Sequence, residues 1–508
     1  MTDLGDGRMI KRLLGVGVHR ACAVALLLLG STALAGMTVL AVRHGQELRG
    51  HGAIEVPAVL ETAYAGELPR QGRFEANVAY TCYGVSGDGE VSSSVLWDDA
   101  WFSQDSFTYN HELARACSVI SALAYAESSY YQSGSDTPPY MENALYDLGF
   151  DKVETESYRY RSEVVDEVLD VMTQQSDGVA YALAHKDLGE SDGVRRELIA
   201  VSVRGSYGSE WLSNFNLGEG EAAAAAEALT DERSHDHTGY QIAALDILAH
   251  LDEWVDEAES RGSEVSILLT GHSRGGAVAG LLASMLDDRA ATRADAGVDT
   301  GASGAAADGA DAAADATATA ATDAADATAD ATGTDAAAAD ATATAAADAA
   351  TDAAALAPRV FAYTFASPRT TLNTRSNDAR YGNIFNIVNP ADMVTSVPLE
   401  SWGYVRYGVD KPLPAVDDAG FSELHASMLA AFTELTGQED AYDPETKLAI
   451  DAAVRELSVS VPTSSDLLTP GGVASVAAAC ALRINPARIL LGHYPSVYIA
   501  WMEALPSL

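Results

Sequence analysis

Polar and apolar positions alternate over 73–101, enough for one or two strands, and then fall into helical spacing. Asn110 suits a helix N-cap, and Leu113, Cys117, Ile120 and Ala124 behind it share one face. A shorter helix is expected over 139–148, stopped by Gly149. A third follows over 164–172 on Val164, Val165, Val168, Leu169 and Met172. Two apolar runs, 179–185 and 197–203, flank a polar loop with glycine and predict an antiparallel pair at a sheet edge. From Thr238 to about 258 the period is helical again, with Ile242, Leu245, Leu248, Leu251 and Trp254 on the apolar side. A continuous apolar run beginning at Val265 then reads as a buried strand, followed at once by small and apolar residues at helical spacing. Strands are expected over 359–366, 383–388 and, as a short piece, 404–409. Helices are expected over 420–436 and 444–457, ahead of a last apolar segment. Strands alternating with helices in this way predict an α/β layered fold with a largely parallel sheet.

Two segments break the pattern. Residues 290–357 are low-complexity Ala, Asp, Thr and Gly. Alanine favours helix, but the recurrent Asp, Thr and Gly oppose it and nothing there fills a core, so a solvated, disordered insertion with transient helix is expected. Such an insertion interrupts one domain at small cost, because loop-closure entropy grows only logarithmically with length. Residues 21–42 are apolar or small and uncharged, and at about 1.5 Å per residue they just cross a bilayer core of about 30 Å. Arg8, Lys11, Arg12 and Arg20 precede them, which places the N-terminus in the cytoplasm and the body outside. Ala33-Leu34-Ala35 also fits a signal-peptidase site, so both a retained anchor and a cleaved signal peptide stay open. The expected organisation is a stub and apolar segment over 1–45, a linker over 46–72, and one α/β domain over 73–508. That domain has an N-terminal helical layer, 73–178, and a core, 179–508, interrupted by the insertion. Export puts the body at the outer face of the cell membrane or free outside the cell.

The formal net charge of −42 over 508 residues argues against nucleic acid and anionic membrane surfaces as partners. Of the cysteines, Cys22 lies in the apolar run, which leaves Cys82, Cys117 and Cys480 and at most one internal disulfide. No Cys or His spacing suggests a metal, no cofactor is expected, and no obligate protein partner is inferred.

The chemistry centres on Gly271-His272-Ser273-Arg274-Gly275, a G-x-S-x-G sequence between the buried strand and the helix that follows. A serine in such a turn has a strained backbone and an exposed hydroxyl. A Cβ at Gly271 or Gly275 would collide with the neighbouring strand or helix. The helix N-terminus turns its amides and positive dipole end on the reacting centre. Serine is a poor nucleophile at neutral pH and needs a neutral imidazole, itself oriented by a carboxylate. Asp392, just past the strand 383–388, is the favoured acid, although an Asp after Asn-Pro is also a plain turn former. His493, late in the chain in a Gly- and Pro-flanked loop, is the favoured base, with His425 as its rival.

The order of these motifs resembles the class 3 (fungal-type) lipases of the α/β-hydrolase fold, over roughly 198–508. The residues that carry the resemblance are Val203-Arg-Gly-Ser206 with Trp211 downstream, His237-Thr-Gly-Tyr240, Gly271-His-Ser-Arg-Gly275, Phe365-Ala-Ser-Pro-Arg369, Asn389-Pro-Ala-Asp392 with Val397-Pro398, and the late His493. The resemblance implies a serine ester hydrolase acting on carboxylic or lipid esters through an acyl-enzyme, with Ser273, His493 and Asp392 as triad. Ser206 and the backbone amide of Arg274 would form the oxyanion hole, and 207–234 corresponds to the family's lid, a plain surface loop being the other reading. The Ala/Asp insertion departs from the family pattern. The lid region, with alanines 222–226 among several acids, is less apolar than interfacial activation on triglyceride wants, which leaves shorter or more soluble esters open. A non-catalytic anchored binding protein on the same fold, and an esterase, deacetylase or peptidase, are the alternatives.

Overall fold

The computed structural model describes residues 70–82, 89–133, 138–156, 179–205, 233, 235–306, 358–439, 441–472, 475 and 491–508. The apolar run 21–42, the predicted helix 164–172, Ser206, Trp211, Cys480 and all of 207–234 except Arg233 lie outside them, as do 307–357. Among the described residues no helix is long and apolar enough to cross a membrane.

The domain begins with an antiparallel hairpin, β1 (Arg73–Thr81) and β2 (Glu90–Asp98), in register from Arg73 opposite Asp98 to Thr81 opposite Glu90. Alternation decides its buried face: Ala76, Val78 and Tyr80 point inward from one strand, and Val91, Val95 and Trp97 from the other. The Trp97 ring sits 5.4 Å from Phe150 and 5.7 Å from Phe102, centroid to centroid. Two helices follow, α1 (His111–Ser133) and α2 (Tyr140–Asp147). Asn110 caps α1 as expected, its Oδ1 accepting from the Leu113 amide at 3.1 Å, and Leu113, Cys117, Ile120 and Ala124 are all buried. Gly149, at φ +83°, ends the α2 segment where a Cβ would lie 2.2 Å from the Arg70 carbonyl oxygen.

The central sheet runs in the order β3 (Lys152–Glu156), β4 (Tyr181–Ser191), β5 (Val194–Val203), β6 (Glu264–His272), β7 (Arg359–Phe365), β8 (Ile384–Val388) and β9 (Val409–Pro412). Pairing is antiparallel from β3 to β5 and parallel from β5 to β9. This is the α/β-hydrolase layering, a mostly parallel sheet covered on both faces. Strand β6 is buried at almost every position. Ile267 and Leu269 join Val201, Val203 and Ala362 under α3 (Thr238–Ser260) and α4 (Arg274–Ala306), whereas Leu268 faces Phe361, Phe365 and α1 across the sheet. Helices α5 (Phe421–Thr436), α6 (Thr446–Ser460) and α7 (Pro495–Ala504) complete the described elements.

The structure differs from the sequence pattern in particular places. The pair β4–β5 is not the edge, because the short, polar β3 pairs outside it; a run as polar as Lys152–Glu156 gives no burial signal. The last strand is Val409–Pro412 and not 404–409. Val405 makes only an isolated bridge to Thr371, and Gly408, at φ +90° with Ile384 packed where a Cβ would be, turns the chain before pairing begins. Helix α4 runs to Ala306, well into the Ala/Asp-rich segment, as the helix propensity of alanine dictates once a packed helix has nucleated it. Cys82 and Cys117 are both free and buried, and burial pushes the Cys82 thiol up to about 12.

At the end of the sheet away from Ser273, the buried Glu197 accepts from Arg261 Nη2 at 2.6 Å, Ser263 Oγ at 2.6 Å and His185 Nε2 at 2.9 Å. Burial works to raise this carboxyl, but those hydrogen bonds overcome it and hold it at about 2. A depressed acid stabilises the fold fully above its unfolded value of 4.5 and loses that contribution as pH falls through about 2. Glu197→Gln is therefore expected to cost about 2 kcal/mol at pH 7, by removing the buried charge that accepts from Arg261, Ser263 and His185, Arg261 keeping its pair with Glu257. It also flattens the acid limb of the thermal-melting curve between pH 4.5 and 2, which calorimetry across that window checks.

Candidate active site

Strand β6 ends at His272, Ser273 takes the left-handed conformation at φ +59°, and α4 starts at Arg274. A non-glycine residue in that region costs on the order of 1–3 kcal/mol, so the flanking packing has to impose it. The glycines explain how. A Cβ at Gly271 would sit 2.4 Å from the Gly275 backbone, and one at Gly275 would sit 2.1 Å from the Val203 carbonyl oxygen, where β5 ends. The Ser273 amide donates to the Phe365 carbonyl at 2.8 Å, which fixes the turn to the end of β7. Because all three of the nearest atoms to a new Cβ at position 275 are backbone, Gly275→Ala is expected to destabilise the fold by about 3 kcal/mol or more and to abolish activity. A denaturation midpoint beside a turnover assay checks both.

The parallel strands bring the other groups to the same rim. Past β8, Asn389 folds the chain back on itself: its Oδ1 accepts from the Ala391 amide at 3.0 Å and its carbonyl accepts from the Asp392 amide at 2.9 Å. Its Nδ2 donates to the Gly492 carbonyl at 2.9 Å and so ties this turn to the histidine loop. Gly492 permits the contact, since a Cβ there would lie 2.6 Å from the Ala391 carbonyl oxygen. Asp392 Oδ2 then lies 2.8 Å from His493 Nδ1, and His493 Nε2 lies 2.9 Å from Ser273 Oγ. With Nδ1 donating to the carboxylate, Nε2 is left as an acceptor for the serine hydroxyl. All three side chains are buried. His425 stands elsewhere, on α5, stacked on Phe421 at 5.1 Å and packed against Tyr442 and Trp501. Of the two histidines, then, His493 is the one brought to Ser273.

Two phenols escape the sequence pattern. Tyr498, on α7, donates to Asp392 Oδ2 at 2.8 Å and accepts from the Asn389 amide at 3.1 Å. Burial, and then Asp392 beside it, hold it well above the usual tyrosine range, so it stays a donor at every working pH. The other carboxylate oxygen, Oδ1, accepts from the Val394 amide at 2.9 Å. Tyr125, on α1, lies 2.9 Å from His272 Nδ1, and a Cβ on Gly205 would fall 1.9 Å from its hydroxyl. His272 is more than the elbow's variable position. Its ring packs 4.8 Å from that of His493 and 5.5 Å from Tyr498, and burial, followed by His493, keeps it well below the usual imidazole range and neutral. Tyr498 sits at a helical position a little beyond His493, which is a weak local signal. Tyr125 has none, being joined to the site only through the packing of α1 on the sheet.

Arg274 is buried at the first turn of α4, with its backbone amide at the N-terminus facing the elbow. Ser206, the other predicted oxyanion donor, lies outside the described residues. Arg406 Nε donates to the Ser367 carbonyl at 2.8 Å, and Arg369 Nη1 to the Ser396 carbonyl at 2.6 Å, which locks the loop after β7 to the loop after Asp392. No cluster of His, Cys, Asp and Glu among the described residues could hold a metal ion.

Residues 200–317 match the family model described as Lipase (class 3). Secreted mono- and diacylglycerol lipase 1 of Fusarium solani is 34% identical over 90 residues, covering 18% of this chain and 25% of the relative. The chain thus spans about a quarter of that relative's length. Among solved structures, the Rhizomucor miehei lipase propeptide complex is 15% identical with a TM-score of 0.31, covering 60% of this chain and 70% of that one. A lipase from Rhizopus microsporus var. chinensis is 14% identical with a TM-score of 0.29, covering 59% and 74%. Over that match, which includes the strand, elbow and helix that seat Ser273, the chain is similar to the class 3 lipases, and its mostly parallel, helix-covered sheet is an α/β-hydrolase fold.

Proposed function

We propose that this protein is a serine ester hydrolase that cleaves lipid or other carboxylic esters through an acyl-enzyme. The observation that carries the reading is the hydrogen-bonded series Asp392–His493–Ser273, at 2.8 and 2.9 Å, on an elbow that holds Ser273 at φ +59°. Ser273 Oγ attacks the ester carbonyl as His493 Nε2 takes its proton. Asp392, held by Tyr498 and the Val394 amide, stabilises the imidazolium without itself becoming protonated. The oxyanion forms against the Arg274 amide at the start of α4 and against Ser206, and one such donor is worth about 3 kcal/mol. Collapse expels the alcohol, which His493 protonates. Water, activated by the same imidazole, then releases the acid and restores Ser273. No metal or cofactor enters any step.

The curated Fusarium relative is by its name a mono- and diacylglycerol lipase, and the acid-rich segment 207–234 argues in the same direction, towards partial glycerides and shorter esters over triglyceride emulsions. The segment 21–42 supports action outside the cell, on a tether or after cleavage. An active-site fluorophosphonate is expected to label wild-type protein at Ser273 and to miss the Ser273→Ala variant. Its failure to label the wild type would favour a binding protein on a retained hydrolase fold. A panel of short-chain, long-chain, phospholipid and acetyl-sugar esters then sets the substrate class.

A further inference from the structure

Two buried side chains stand beside the triad without belonging to it. Alternation along β6 turns Thr270 and His272 to the face that α1 covers. There Thr270 Oγ1 donates to the Cys117 carbonyl at 3.3 Å, and His272 meets Tyr125. The Tyr125 hydroxyl holds His272 at two points: it lies 2.9 Å from ring Nδ1 and donates to the carbonyl at 3.4 Å. The rings meet edge to face, 5.7 Å between centroids and 75° between planes. A Cβ on Gly205 would lie 1.9 Å from that hydroxyl and 2.5 Å from the His272 carbonyl oxygen, so backbone just past β5 closes the other side. At 3% and 1% exposure, Tyr125 and His272 have no room to turn. His272 in turn lies 4.8 Å from the His493 ring and 5.5 Å from the Tyr498 ring, centroid to centroid. One ring thus packs against both the imidazole that moves the proton and the phenol that donates to Asp392.

The chemistry calls for such a wall. The bonds of the His493 ring to Asp392 and Ser273, at 2.8 and 2.9 Å, run in the ring plane and resist tilting only weakly. Once Ser273 carries the acyl group its oxygen has no proton to share, and of those two bonds only the one to Asp392 remains while water is activated. Burial, and then His493, keep His272 itself neutral, so the wall sets no charge against the imidazolium. We propose that His272, braced by Tyr125, is a positioning residue that holds the His493 ring in line with Ser273 through both proton transfers. This role rests on the ester-hydrolase reading above and is exerted through His493.

Two variants of the full chain test it, each with a thermal melt to give the folded fraction. Tyr125→Phe deletes the brace and keeps its ring. His272→Asn keeps a polar side chain and vacates the wall. Misplacing a reacting group by about 1 Å costs about a hundredfold, the loss of kcat expected for His272→Asn. Tyr125→Phe should lose about tenfold, the weight of one hydrogen bond. KM should stay within about twofold in both, because no substrate contact is removed. In the His493→Ala background neither change should lower the residual rate by more than about twofold, since the ring they position is gone. A crystal structure of His272→Asn should show His493 Nε2 beyond about 3.2 Å from Ser273 Oγ. Undiminished kcat, a change in KM alone, a loss that repeats in full without His493, or an imidazole still within reach of Ser273 each overturns the role. Tyr125→Phe, which keeps the volume of the ring, decides the matter by its kinetics if His272→Asn does not fold. A wild type that turns over no ester, with the imidazole displaced in His272→Asn, leaves the wall standing and sinks the hydrolase reading instead.

Discussion

Replacing Ser273 with Ala is expected to lower ester turnover by about 10⁶-fold while leaving the melting temperature within a few degrees of wild type. The hydroxyl is the only group at the elbow that can form the acyl bond, and removing one oxygen leaves the backbone of the turn as it was. His493→Ala should cost nearly as much, because an unactivated serine is no nucleophile, and the double variant should be little worse than either single one. That non-additivity separates a catalytic unit from residues that merely hold the fold. His425→Ala supplies the contrast. That ring packs on Phe421 and Trp501 and is hydrogen-bonded to neither Ser273 nor Asp392, so kcat should be retained in whatever fraction stays folded. Single-turnover and steady-state kinetics on a p-nitrophenyl ester decide it. Turnover in Ser273→Ala equal to wild type would falsify the assignment of the nucleophile.

Asp392→Asn is the second large effect, expected at about 10⁴-fold in kcat with little change in KM or in stability. Asn fits the same space, but its amide nitrogen competes as a donor where Oδ2 accepts from both His493 Nδ1 and Tyr498. His493 is then driven to the wrong tautomer, with a proton on the nitrogen that should receive one from Ser273. Raising the pH does not rescue this variant, because the defect is an orientation and not a protonation of the acid. Tyr498→Phe tests the support by itself: it removes one of the donors to Asp392 and is expected to cost about tenfold, the weight of a single hydrogen bond to a charged group. A loss in Asp392→Asn no larger than that in Tyr498→Phe would mean that the carboxylate charge is not what orients the imidazole.

Much of the molecule is legible in the chain because its signals are local. The buried run of β6, the glycines on either side of Ser273 and the helical spacing after it are contiguous, and there is no room for a Cβ at Gly271 or Gly275 in the turn they make. The hairpin β1–β2, the Asn110 cap and the stop at Gly149 are local in the same sense. Asp392 follows β8 directly, so a strand-end rule places it, but residues alone could not separate it from a turn former; indeed Asn389 shows that the same segment is both.

Other features were written only in three dimensions. The chain already favoured His493 over His425; what only the fold shows is the pairing of Gly492 with Asn389 and Ala391 that carries this ring to Ser273. The roles of Tyr125, His272 and Tyr498 depend on α1 and α7 packing across the sheet, and β3 became an edge strand only because β4 offered it a free ladder. The sequence by itself determined most of the elements, their order and the elbow that seats Ser273, since excluded volume and burial act between near neighbours. How near His493 and Asp392 come to that seat, and which phenols support them, was settled by the sheet, because parallel strands carry groups distant along the chain to one edge, within hydrogen-bond distances of about 3 Å.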